Sequence, residues 1–179
     1  MLSRENTILL VIDMQEKLTR VMVEKEQLVI NVQKLIKGAS VLGIPVVLTE
    51  QYPQGLGATI PEVSCLLPEI KPLAKMAFSC CGDIEILETL KNMKRKQVLV
   101  AGIETHVCVY QTAADLLGLG FEPQIVIDCV SSRTVENKKA AVHTMRDMGI
   151  GVTSMEMALF ELLKTAENKN FKEISRIVK

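Results

Sequence analysis

Aromatic residues make up only 3% of this 179-residue chain, and tryptophan is absent. The core must therefore be aliphatic, and the 48% hydrophobic content is enough to build one. Lys plus Arg and Asp plus Glu balance at 21 each, so no net field draws the chain to nucleic acid or an anionic membrane. The densest basic run, Lys91 to Lys96, precedes a strand signal and reads as a solvated helix end, where cations are favoured. Only two histidines occur, His106 and His143, and no pair of cysteines has CxxC spacing. A structural zinc site is therefore not expected, and neither is a disulfide framework. The cysteine number is odd, and Cys80 and Cys81 are adjacent. Free thiols suit a reducing compartment. The first residues lack a signal-peptide layout and no apolar run has membrane-spanning length, so a soluble cytoplasmic protein is expected.

Four apolar runs read as strands buried on both faces: Ile8–Ile12, Val46–Leu48, Val98–Ala101 and Ile125–Ile127. Ile150–Thr153 is a weaker fifth. Helical periodicity fills residues 24–41, 104–119 and 134–148, with a shorter candidate at 84–93. Gly43, Gly120 and Gly149 each fall where a helix should stop before the next strand. Thr153-Ser154-Met155-Glu156 fits a capping box that opens a further helix, and a short helix is expected after Asn168. Alternating strand and helix specifies βαβ units, hence a single α/β domain over 1–179. Residues 49–82, rich in Pro and Gly, read as one long irregular connection of functional type.

Ligands of an open parallel sheet sit beyond the carboxyl ends of its strands. That edge should hold Asp13, Glu50, Gln51, Glu104, Cys108 and Asp128. Asp13, directly after an apolar strand, is either a helix N-cap or a catalytic carboxylate. Cys108 falls in a first helical turn, where the dipole lowers a thiol pKa, or else it is a buried structural cysteine. His106 lies two residues away and on a helix does not face it, so a structural or rim role is expected. Lys75 reads as a surface lysine unless its ammonium reaches Asp13 and Cys108.

Three segments together carry a resemblance. Leu9-Leu10-Val11-Ile12-Asp13-Met14-Gln15, Lys75 with Phe78, and Val100-Ala101-Gly102-Ile103-Glu104-Thr105-His106-Val107-Cys108 resemble, in order, the catalytic-Asp, K-x-x-F and nucleophile motifs of isochorismatase-like hydrolases. Asp128-Cys129-Val130-Ser131-Ser132-Arg133 is also similar to the family pattern. Thr49 to Gly57 looks like the subgroup of isochorismatase domain-containing proteins. The resemblance implies a three-layer α/β/α doubly wound, Rossmann-like fold with a six-stranded parallel sheet. It implies a Cys108–Asp13–Lys75 triad, an oxyanion site with a non-proline cis peptide at Ile103-Glu104, and oligomerisation. Gln51 and Tyr52 are expected to line the substrate pocket. Nicotinamidases of this superfamily hold a metal through an Asp and histidines after the second strand. Here Thr49-Glu50-Gln51-Tyr52-Pro53 has no histidine, so neither a metal nor another cofactor is expected. The cysteine favours the amidase-like branch, which cleaves a C–N bond of a small molecule through a thioester. A non-enzymatic binding or thiol redox-sensing module on the same fold is the alternative.

Overall fold

The computed structural model describes residues 1–179. In chain order the elements are β1 (Thr7–Ile12), α1 (Glu16–Thr19), α2 (Lys25–Leu42), β2 (Val46–Gln51), α3 (Pro53–Leu56), α4 (Pro61–Ser64), β3 (Leu73–Lys75), α5 (Ile84–Asn92), β4 (Gln97–Ile103), α6 (Tyr110–Gly118), β5 (Glu122–Ser131), α7 (Val135–Asp147), β6 (Gly151–Thr153), α8 (Met155–Leu163) and α9 (Phe171–Val178). A 3₁₀ turn lies at Cys80–Gly82 and a π-helical turn at Thr105–Val109.

The apolar runs became strands because both of their faces are covered. Leu9 and Val11 point into a core shared with α2, α4, α8 and α9. Ile8, Leu10 and Ile12 point into a second core under α5, α6 and α7. All six residues of β1 are buried, which is why its sequence is continuously apolar rather than alternating. α2 buries Leu28, Val32, Leu35, Ile36 and Ala39 on one stripe, each large aliphatic contributing roughly 1.5–3 kcal/mol. Gly43 ends that helix in the left-handed conformation, as its position in the sequence suggests.

The sheet order is β3-β2-β1-β4-β5-β6, with every pairing parallel. The chain winds outward from β1 through β2 to β3, then returns to the other side of β1 as β4. The switch point therefore lies between the carboxyl ends of β1 and β4, where a doubly wound sheet opens a crevice. The fold is the three-layer α/β/α arrangement that the family resemblance implies.

Four expectations need correction. The connection 49–82 is not one irregular loop. It contains α3, α4 and the edge strand β3, whose three residues are too few to leave a periodic signal. The helix expected from 104 begins as a π-helical turn, and α6 proper starts at Tyr110. At α8 the capping residue is Ser154, which accepts from the Met157 N–H, and not Thr153. The strand expected to end at Ile127 runs on to Ser131 past an irregularity in its pairing with β4. This places Asp128 within β5, where it accepts from the Met155 N–H at 2.8 Å and anchors the start of α8.

Gly102 is required by close approach. It is the register partner of Ile12, has φ +112°, and a Cβ there would lie 2.0 Å from the Ile12 carbonyl oxygen. Gly102→Ala is expected to cost about 2–4 kcal/mol, combining backbone strain with overpacking. A urea midpoint equal to that of the wild type would contradict this account.

Candidate active site

Asp13 directly follows β1 with φ 52°, a left-handed backbone that Asp tolerates better than most residues. Its side chain is fully buried and caps no helix. Oδ2 accepts from the Lys75 ammonium at 2.7 Å, and Oδ1 accepts from the Thr49 hydroxyl at 2.8 Å. The kink interrupts pairing between β1 and β2, and Gln15 restores it with its side chain. Its carbonyl accepts from the Gln51 N–H at 2.7 Å, and its amide donates to the Gln51 and Gly57 carbonyls at 3.0 and 2.6 Å.

Lys75, the last residue of β3, sits beside Gln51 in the sheet register. It is buried at the edge of the sheet, not on the surface. Besides Asp13, its ammonium donates to Gln51 Oε1 at 2.7 Å and to the Phe78 carbonyl at 3.0 Å, with the Ala77 carbonyl farther off at 3.4 Å. An ammonium has three N–H groups, and three close acceptors use them all. Burial by itself lowers the Lys75 pKa, but Asp13 and then the thiols of Cys80 and Cys108 outweigh it, so the net direction is up. The cation persists.

Cys108 lies in the π-helical turn that follows β4, across the switch point from Asp13, with 5% exposure. Asp13 and Lys75 both act on its thiol, in opposite directions. The first-turn dipole does not dominate here. Desolvation, then the Asp13 carboxylate, push the thiol pKa up to about 12, and Lys75 only partly opposes them. Cys108 rests as a neutral thiol beside a carboxylate–ammonium pair. It is not the low-pKa thiolate expected from helix position.

Ile103-Glu104 is a cis peptide, as the resemblance implies. The Glu104 side chain accepts from Arg133 Nε at 2.9 Å, tying the turn after β4 to the end of β5. His106 Nδ1 lies 3.0 Å from the Ser132 hydroxyl and is no partner of Cys108. Glu50 accepts from the Thr59 N–H and hydroxyl, both at 2.7 Å, and so holds the neighbouring loop rather than Asp13 or Lys75. Tyr52 is 47% exposed, with its ring packed over Gly55. Gln51, by contrast, is turned inward to Lys75 and to the Met76 carbonyl.

Two neighbours escaped the sequence reading. Thr49 orients Asp13, and its place after an apolar run, one register step from the sheet edge, was a usable signal. Cys80 lies 3.9 Å from the Thr49 hydroxyl, with its thiol pushed up to about 12 by burial. The 3₁₀ turn that delivers it there has no pattern in the sequence.

The chain can be set beside known families. The isochorismatase domain model aligns with residues 7–157. The chain belongs to the isochorismatase family. Isochorismatase domain-containing protein 2 of Danio rerio is 38% identical over 178 residues, covering 99% of this chain and 89% of that protein. The secreted isochorismatase effector Isc1 of Phytophthora sojae is also 38% identical, covering 97% of this chain and 85% of its own. Among solved structures, the MAR1 ribonuclease of Caenorhabditis elegans superposes with a TM-score of 0.93 at 35% identity, covering 99% of this chain and 91% of that one. The YcaC gene product of Escherichia coli, described as an octameric hydrolase of unknown specificity, gives 0.93 at 22% identity over 98% and 88% of the two chains, a likeness of fold alone. No helix is long and apolar enough to cross a membrane.

Two predictions follow from the ion pair and the thiols. Lys75→Met, which strands the Asp13 carboxylate, is expected to cost about 3–5 kcal/mol, and adding Asp13→Asn should recover much of it. Additive losses in urea unfolding would disprove the pairing. Cys80, Cys81 and Cys108 all have folded pKa values raised from 9.0, to about 12, 11 and 12. The folded state holds these protons more tightly than the unfolded state. Their contribution is complete below about pH 9 and is lost as pH rises toward 12. Unfolding free energy should therefore fall steadily across that window, and a flat profile from pH 8.5 to 11 would refute the assigned directions.

Proposed function

We propose that this isochorismatase-family hydrolase cleaves a C–N bond, an amide, of a small molecule with a Cys108–Asp13–Lys75 triad. The observation that carries this reading is the fully buried Lys75–Asp13 pair at 2.7 Å, with Cys108 near enough that both charges act on its thiol. A buried ion pair is costly unless its geometry is well satisfied, and a structural role alone gives no reason to set a thiol against it.

The resting thiol transfers its proton to Asp13 as its sulfur attacks the amide carbonyl carbon. The carbonyl π electrons move to oxygen, and backbone N–H groups of the turn at Glu104 and Cys108 receive the oxyanion. Lys75 stabilises the sulfur's developing charge through its field, since its N–H groups are already engaged. As the tetrahedral intermediate collapses, the C–N bond breaks and Asp13 returns the proton to the departing amine. This leaves a thioester on Cys108. Asp13 then takes a proton from water, the hydroxide adds to the thioester carbonyl, and the carboxylic acid leaves as the thiol re-forms. Tyr52 stands at the rim as a candidate wall of the substrate pocket.

A redox sensor needs an accessible low-pKa thiol. A 5%-exposed thiol pushed up to about 12 argues against that alternative. The balance of 21 basic and 21 acidic residues gives no electrostatic support for RNA as substrate, although one relative is a ribonuclease. Five free thiols support a cytoplasmic address, while a 38%-identical relative is a secreted effector. The octameric state described for YcaC supports a homo-oligomer.

A panel of small primary and N-substituted amides, with RNA as a parallel substrate, tests the reading. Cys108→Ser should lower turnover at least about a thousandfold, and Asp13→Asn by a similar factor, as for other nucleophile–base units. Undiminished turnover in Cys108→Ser, or cleavage of RNA alone, would sink the mechanism.

A further inference from the structure

Lys75 depends on three acceptors, and they differ in kind. Asp13 is a reacting group, and Phe78 supplies a backbone carbonyl. Gln51 Oε1, at 2.7 Å, is the only neutral side chain among them. Its amide has one consistent orientation. The ammonium can only donate and the Met76 carbonyl can only accept, so Oε1 faces Lys75 while Nε2 donates to Met76 O at 2.8 Å. The backbone is equally fixed. Gln51 is the register partner of Lys75, and both its N–H and its carbonyl are bonded by the Gln15 side chain. Both polar ends of the side chain are therefore occupied, and Gln51 is 8% exposed. That leaves little of it to serve as the pocket wall expected from the sequence.

The choice of a neutral acceptor has a chemical reason. When Cys108 ionises, the buried site holds one cation against two negative groups, if the proton passes beyond Asp13, or against one if Asp13 keeps it. A carboxylate at position 51 would add another negative charge and divert the Lys75 field from sulfur. An aliphatic residue would leave a buried ammonium N–H without a partner. Glutamine completes the coordination and adds no charge.

We propose that Gln51 is a positioning residue rather than a substrate ligand: its side-chain carbonyl holds the Lys75 ammonium beside Asp13 and Cys108 without adding charge. This rests on the triad reading above. The test needs no substrate. The rate at which iodoacetamide alkylates Cys108, assigned by mass spectrometry, is followed from about pH 8 to pH 11 in the wild type, Gln51→Glu, Gln51→Leu and Lys75→Met, with circular dichroism to verify folding. At pH 9 the isosteric Gln51→Glu should slow Cys108 by about tenfold or more and move its profile to higher pH. Gln51→Leu should slow it several-fold, and Lys75→Met most of all. If Lys75→Met slows Cys108 while Gln51→Glu matches or exceeds the wild-type rate, the positioning role is overturned and the triad stands. If Lys75→Met changes nothing, the triad reading falls and the role of Gln51 falls with it.

Discussion

The ion pair between Lys75 and Asp13 is the constraint around which this end of the molecule is arranged. A carboxylate and an ammonium, both removed from water, persist only with good geometry and complete hydrogen bonding. Thr49 and Gln51 from β2, two carbonyls after β3, and the left-handed turn at Asp13 supply that completeness. Gln15 then repairs the ladder that the turn breaks. Much of the local structure between β1 and β3 follows from satisfying two buried charges.

The same constraint sets the state of Cys108. Desolvation and the Asp13 carboxylate together outweigh the Lys75 ammonium at Cys108, so the thiol stays protonated. Reactivity in such a site arises when substrate supplies the electrophile and proton transfer accompanies attack. A resting neutral thiol also limits adventitious oxidation, which proceeds through the thiolate. The close approach of β4 to β1 at Gly102 brings the two halves of the site together across the switch point.

Legibility in the sequence followed the range of the interactions. The long strands were readable because burial on both faces leaves an uninterrupted apolar run in β1 and β4. Helix ends such as Gly43 were readable because capping is local. β3 was not, since three residues in a Pro-rich stretch have no period. Asp13, Lys75 and Cys108 could be singled out by motif resemblance, but their contact could not be derived from spacing. Cys80 carried no signal at all.

By itself, the sequence determined the aliphatic two-faced strands, the α/β alternation, and the placement of Asp13 and Cys108 just after strands, at the carboxyl edge of the sheet. These depend on periodicity and local propensity, which neighbouring residues encode. Only the tertiary structure decided that Lys75 is buried, that Gln51 serves it rather than the solvent, and that Cys108 rests as a thiol. Each of these depends on desolvation and on partners tens of residues distant, and neither exists until the sheet has closed around them.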